Sequence, residues 1–316
     1  MSRILVTGGA GFIGSHVAEA LLSRGEAVTI LDSLDPYYDV ERKRANLKEV
    51  ALVGDFEWVE GDIRDRSLLA QVFERGFDGV IHLAARAGVR MSIEAPLDYV
   101  STNLDGTANL LSMAVQHRIS RFVFASSSSV YGNSLQVPFR ESDPVMEPVS
   151  PYAATKRGGE LLCHSWHHCH GLAVTCLRFF TVYGPRQRPD MAIHKFVARI
   201  LRDQEIPFFG DGKTRRDYTY VDDVVDGVIR AFDRCGGFRI YNLGESVTTS
   251  LDELVGILEA CTGKRAIRKR EPFQMGDVQE TFADISKARA ELGYDPHTTV
   301  QQGVTRFVDW FSKWHP

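Results

Sequence analysis

Short apolar runs alternate along this chain with stretches in which apolar residues recur at helical spacing. Residues 4–6, 27–31, 56–59, 79–83 and 122–125 each read as a buried strand followed by an amphipathic segment. Alternation of this kind predicts a doubly wound α/β fold, a parallel sheet covered by helices on both faces. The pattern continues through a long helix over 152–170 and a buried strand over 173–179. After Phe180 it weakens, where Pro185, Pro189 and Pro207 with Gly184, Gly210 and Gly212 interrupt it, and helices return over 221–232, 251–261 and 300–314. Two domains are expected: 1–180, continued by 217–245, and a second, smaller mixed α/β domain from 181–216 and 246–316.

Composition narrows the function classes. The 316 residues are 44% hydrophobic and 25% charged, enough to bury one large core or two smaller ones. Lysine and arginine total 37 against 41 aspartates and glutamates, a net charge of -4, so no nucleic-acid partner is expected. No run approaches the roughly 18 apolar residues of a membrane span. With a strand already at 4–6 there is no room for a signal peptide, and the expected setting is cytoplasmic without a membrane partner. Five cysteines (Cys163, Cys169, Cys176, Cys235, Cys261) include no C-x-x-C pair and are expected as reduced thiols.

The first strand runs into Thr7-Gly8-Gly9-Ala10-Gly11-Phe12-Ile13-Gly14 and a helical pattern from His16. Glycines at 8, 11 and 14 let a backbone turn tightly and approach a pyrophosphate, whose charge then sits at a helix N-terminus. The second strand ends at Asp32, where a carboxylate accepts the ribose hydroxyls of NAD and repels the 2'-phosphate of NADP. After the third strand, Asp62 in Gly61-Asp62-Ile63-Arg64-Asp65 is a candidate for the adenine amino group, with a helix cap at Asp62 or Asp65 as the other reading.

Tyr152-Ala153-Ala154-Thr155-Lys156 places a phenol and an ammonium one helical turn apart on one face. A tyrosine with an ordinary pKa near 10 becomes a base at neutral pH only when its phenolate is stabilised, which an adjacent cation does. The fifth strand ends in Ser126-Ser127-Ser128-Ser129, putting hydroxyls at the carboxyl edge of the sheet, where ligands bind in this architecture.

These motifs together, TGGAGFIG, HLAA at His82 to Ala85, Asn103 in NLDGTANLL, SSSSVYG, YAATK and RDYTYVDD, resemble the extended short-chain dehydrogenase/reductases, specifically the nucleotide-sugar 4-epimerases, over essentially the whole chain. The resemblance implies a Rossmann first domain holding NAD and a second domain holding a UDP-sugar. It implies that Ser127, Tyr152 and Lys156 are catalytic, with Lys156 also on the nicotinamide ribose. Gly8, Gly11, Phe12, Ile13, Gly14, Asp32, Asp62, Ile63, Leu83, Ala84, Ala85 and Asn103 would then line the cofactor groove. Phe209 matches the family's uracil-stacking position and Arg216 the arginine that meets the pyrophosphate.

Relatives that eliminate water or carbon dioxide resemble one another in carrying an acidic residue where this chain has only Ser127 to Ser129, so the resemblance favours redox-neutral epimerisation at C4. The stretch 178–191 and Ala87-Gly88-Val89-Arg90 resemble the UDP-glucuronate branch. Thr181 stands where glucose epimerases have asparagine, and Gln274 precedes Met275-Gly276-Asp277 where they have arginine, which makes Arg188 the candidate partner of a C6 carboxylate. Gly88, Arg90, Ser127, Ser128, Thr181, Arg188, Met191, Phe209, Arg216 and Asp277 form the implied substrate set. UDP-glucose, UDP-N-acetylhexosamine and UDP-pentose stay open as alternatives, as does a non-catalytic NAD-sensing protein. The family's homodimer would pair helices over 99–117 and 152–170. The cluster from Cys163 to His170 is read as packing and not as a metal site, and Trp310, Phe311 and Trp314 as core or interface.

Overall fold

The computed structural model describes residues 1–272 and 279–314, so Gln274 and Asp277 lie outside the described residues. Seven strands make the main sheet: β1 (Arg3–Thr7), β2 (Ala27–Asp32), β3 (Glu57–Glu60), β4 (Gly79–His82), β5 (Arg121–Ser127), β6 (Val174–Phe179) and β10 (Phe238–Leu243). All pair in parallel, in the order β10-β6-β5-β4-β1-β2-β3. The chain works outward from β1 to β3 and then returns to β4 on the other side of β1. Loops leaving β1 and β4 therefore diverge and open a crevice at the carboxyl ends of these strands.

Both faces of the sheet are apolar, and the two-residue period divides them. Ile4, Val6, Ile81, Val123 and Ala125 enter one buried cluster, while Leu5, Val80, Phe122 and Phe124 enter the other. This explains why the strands read as continuous hydrophobic runs. Helices α1 (Phe12–Ser23), α2 (Val40–Val53), α3 (Arg66–Phe73), α4 (Val89–Glu94), α5 (Pro96–Val100), α6 (Gly106–Gln116), α7 (Pro151–His170) and α9 (Val221–Asp233) surround this sheet. Ser150 caps α7 at its start and Gly171, in the left-handed region at φ 71°, ends it.

The helix expected over 99–117 is interrupted. A π turn over Ser101–Asp105 separates α5 from α6, and Asn103 sits in it with its side chain turned inward. After β6 the chain builds smaller sheets: β7 (Thr181–Tyr183), β9 (Arg215–Tyr220) and β11 (Thr248–Ser250) in one, β8 (Glu205–Phe209) with β12 (Ile267–Glu271) in another. Helices α8 (Ala192–Leu201), α10 (Leu251–Thr262), α11 (Ser286–Leu292) and α12 (Val300–Trp314) complete this part. Phe307 and Phe311 of α12 are buried against the His194 ring of α8, so the aromatic C-terminal stretch belongs to the core. Among the described residues no helix is long and apolar enough to cross a membrane.

Candidate active site

A cleft of about 410 Å³ occupies the crevice. Gly8, Gly11, Phe12, Ile13, Gly14, Asp32, Asp62, Ile63, Leu83, Ala84 and Ala85 line one side, and Gly88, Ser127, Ser128, Tyr152, Lys156, Thr181, Arg188 and Met191 line the other.

Glycine is required by contact at two of these places. Gly8 has φ 74°, and a Cβ on it would stand 2.6 Å from the Ala84 backbone nitrogen. A Cβ on Gly14 would fall on the Gly8 carbonyl oxygen. Gly11 caps α1 without a side-chain acceptor, which leaves the first N–H groups of the helix to a ligand. Asp32 is buried at the end of β2, its oxygens accepting from Ala10 N at 3.2 Å and Leu34 N at 2.9 Å. Burial pushes its carboxyl up, opposed by the Lys43 ammonium 3.9 Å away. Lys43 and Tyr38, both lining the cleft, escaped the sequence reading because nothing in α2's own pattern marks a lysine whose partner lies on another element.

Asp62 is paired with Arg64, Nη2 to Oδ2 at 2.6 Å, and this guanidinium holds its carboxyl below the usual range. The cap of α3 is Asp65, which accepts from Ser67 N at 2.9 Å and Leu68 N at 3.0 Å. Asn103 is buried: Arg86 N donates to its Oδ1 at 2.8 Å, and its Nδ2 donates to Arg86 O at 2.9 Å and to Thr155 Oγ1 at 3.0 Å. It thus ties the loop after β4 to α7. His82 extends the network. Thr107 Oγ1 donates to Asn103 O, so it accepts from His82 Nε2 at 3.0 Å, and His82 Nδ1 accepts from Thr7 Oγ1 at 2.7 Å. Burial pushes His82 down to about 3, in keeping with this neutral tautomer.

Tyr152 and Lys156 occupy the first turns of α7. Lys156 Nζ donates to Ala125 O at 2.7 Å and lies 6.0 Å from the Tyr152 ring centre. Burial lowers Lys156 to about 8, so it still carries its charge at neutral pH. Burial raises the Tyr152 phenol, while the Ser127 hydroxyl and the Arg188 charge pull it back. The serines divide their work: Ser127 donates to Ser129 Oγ at 3.0 Å at the cleft, whereas Ser126 turns inward and donates to Glu160 at 2.7 Å.

Arg188 comes from the segment after β7, which is strapped to α1. His16 Nε2 donates to Pro185 O at 3.1 Å, and Arg186 donates to Ser15 Oγ at 3.2 Å and Glu19 Oε1 at 2.6 Å. Arg90, Phe209 and Arg216 are not among the residues lining the cleft. The Arg90 guanidinium lies 5.6 Å over the Phe209 ring, and Arg216 donates to Arg215 O at 2.9 Å. Among the described residues no group of three or more His, Cys, Asp or Glu is placed to hold a metal ion.

A glycine turn with a buried aspartate and a tyrosine flanked by serine and lysine thus share one cleft at the switch point, which defines a dinucleotide-using α/β protein. The chain belongs to the NAD dependent epimerase/dehydratase family, whose description matches residues 4–244. It is 43% identical over 312 residues to a UDP-glucuronate 4-epimerase of Thermodesulfobacterium geofontis, covering 98% of this chain and 96% of the relative. Among solved structures, the UDP-glucuronic acid 4-epimerase of Bacillus cereus in complex with UDP-glucuronic acid and NAD superimposes with a TM-score of 0.93 at 35% identity, covering 99% of this chain and 100% of that one. The UDP-glucose 4-epimerase of Thermotoga maritima, with UDP-glucose, gives 0.92 at 34% identity and the same coverage. The backbone alone therefore does not choose the sugar.

Proposed function

We propose that this chain interconverts UDP-glucuronate and UDP-galacturonate by epimerising C4. The observation that carries this reading is a guanidinium, Arg188, in the same cleft as Tyr152, Ser127 and Thr181. The cradle suits a dinucleotide: Gly8 and Gly14 let the turn close tightly where a Cβ would strike the backbone of Ala84 and Gly8, and Asp32 sits where ribose hydroxyls would be met. Held there, NAD would supply a hydride acceptor and donor for C4 of the sugar.

The protein's own residues manage the protons and the orientation. Tyr152 takes the C4 hydroxyl proton and gives it back, Ser127 shares that hydrogen bond, and the Lys156 ammonium, anchored on Ala125 O, favours the phenolate. The 4-keto sugar is a β-keto acid, which loses carbon dioxide when its C5–C6 bond aligns with the carbonyl π system. Arg188 and Thr181 hold the carboxylate out of that alignment, a task suited to a planar donor. No carboxylate stands within Ser126-Ser127-Ser128-Ser129 to promote elimination. Phe209 is assigned to the uracil and Arg216 to the diphosphate, and Arg90, 5.6 Å over the Phe209 ring, is grouped with them.

A homodimer goes with this reading, supported by Leu97, Val100 and Leu161, which leave apolar surface on α5 and α7 exposed. The five cysteines are free thiols, in keeping with a cytoplasmic setting. The deciding experiment offers the purified protein a panel of UDP-sugars and follows products by NMR. Conversion of UDP-glucuronate in clear preference to neutral UDP-sugars is expected, and equal turnover of UDP-glucose overturns the carboxylate assignment.

A further inference from the structure

Arg188 does not meet the cleft alone. Its Nε and Nη2 donate to the two oxygens of Asp190 at 3.0 and 2.9 Å, and the Tyr37 hydroxyl lies 3.4 Å from Asp190 Oδ2. Two parallel N–H···O bonds to a planar carboxylate are what a sugar acid would seek from the same group. One edge of Arg188 is therefore already occupied by a carboxylate of the chain itself. A guanidinium has five N–H donors, so three remain, two on Nη1 and one on Nη2. Nη2, which carries one of these, lies 3.9 Å from where a Cβ would stand on Gly88, a position bordered by the Tyr37 hydroxyl at 3.0 Å, and both Gly88 and Arg188 line the cleft.

We propose that Asp190 is a specificity-determining residue: it neutralises Arg188 and thereby limits how strongly the site prefers a sugar carboxylate to a neutral sugar. The inference rests on the carboxylate reading given above. An unpaired arginine would draw an acidic sugar by charge as well as by hydrogen bonds. With Asp190 in place the pair has no net charge, and an arriving carboxylate gains ordered donors but meets a like charge across the shared guanidinium. A neutral hydroxymethyl group meets no such opposition. Asp190 also screens Tyr152, whose phenolate the Arg188 charge favours.

Asp190 belongs to an exposed part of the loop, and Asp190→Asn keeps an acceptor for Arg188 while removing the charge. In the holoenzyme this variant should lower KM for UDP-glucuronate about two- to fivefold, the order of a modest ion pair. KM for UDP-glucose should stay unchanged, and the acid limb of the kcat profile should move to lower pH. Asp190→Glu, which retains the charge, should keep the wild-type ratio of kcat/KM between the two sugars. Equal rises in both KM values with a lower kcat would mean that Asp190 only braces the loop, and would overturn the proposal, as would a Glu variant that shifts the ratio as far as Asn. A wild type that turns over neutral UDP-sugars but no UDP-glucuronate overturns the carboxylate reading itself and this inference with it.

Discussion

The Glu160 carboxylate and the Arg178 guanidinium meet edge to edge inside the protein, Nε to Oε1 at 2.8 Å and Nη2 to Oε2 at 2.9 Å, one helical turn past Lys156. Ser126 and Arg157 also donate to the Glu160 carboxylate, and Arg178 Nη1 donates to the Tyr131 hydroxyl at 2.9 Å. Side chains of α7, β5 and β6 thus close on one buried charge pair, which fixes the register of the helix that carries Tyr152. A buried pair of this kind adds little net stability over apolar packing, but breaking it leaves an unpaired charge.

Glu160→Gln should therefore cost about 3–5 kcal/mol, read by urea unfolding. Burial pushes the Glu160 carboxyl up, but Arg178 with Ser126 and Arg157 more than offsets this, and the net direction is down. With the folded pKa below the ordinary 4.5, the unfolded chain binds the proton more readily as the solution acidifies. The stabilisation is complete above 4.5 and is lost as pH falls through the folded value. The gap between wild type and variant should be constant near neutrality and shrink below pH 4.5; a gap that widens there contradicts the assignment.

Tyr152→Phe should lose turnover by at least about 10²-fold, the lower end of general acid-base catalysis, with nucleotide binding retained. Steady-state kinetics with the chemical step limiting is the check. A variant keeping more than about a tenth of wild-type kcat would remove Tyr152 from the proton transfer.

Asp32→Ala should turn cofactor preference from NAD toward NADP. Removing the carboxylate takes away the group that repels a 2'-phosphate and releases Lys43, now 3.9 Å from it, to meet one. Cofactor released from the denatured proteins identifies what each binds; NAD alone in both would show that Asp32 does not choose.

Much of this was legible in the sequence because it is local. The glycine turn, the Tyr-Lys pair and the serines at the end of β5 each lie within one run of residues, and a strand followed by a helix is enough to place them. Asp32 likewise follows from the end of a buried strand. What escaped depends on partners on other elements: Lys43 on Asp32, Arg178 on Glu160, and the inward turn of Asn103, which the resemblance puts in the cofactor groove but which bonds Arg86 and Thr155. Asp190 lies only two residues from Arg188, yet nothing in the loop's pattern says that the two side chains pair. Arg186 shows the difference most plainly. In the sequence it stands beside Arg188 as a second loop arginine, while in the fold it belongs to α1.

That placement makes Arg186 the test of how the two halves of the cleft are held in register. Its backbone sits in the left-handed region at φ 66°, and its side chain reaches Ser15 and Glu19 on the helix whose N-terminus faces the cofactor side. A non-glycine residue there is unfavourable, so the contacts to α1 must offset the local conformation. Arg186→Gly keeps the left-handed backbone without strain and removes only the side-chain part of the strap, leaving the His16 bond to Pro185 O. The segment that carries Arg188 should then lose its placement, raising KM for the UDP-sugar roughly 10- to 100-fold, as expected for a lost hydrogen bond to a charged group. NAD content should be unaffected, because Gly11 at the start of α1 lies a full turn before Ser15. Glu19→Gln should give a smaller effect in the same direction, since Arg186 keeps Ser15. Loss of cofactor together with substrate affinity would show instead that the strap supports α1 and not the loop.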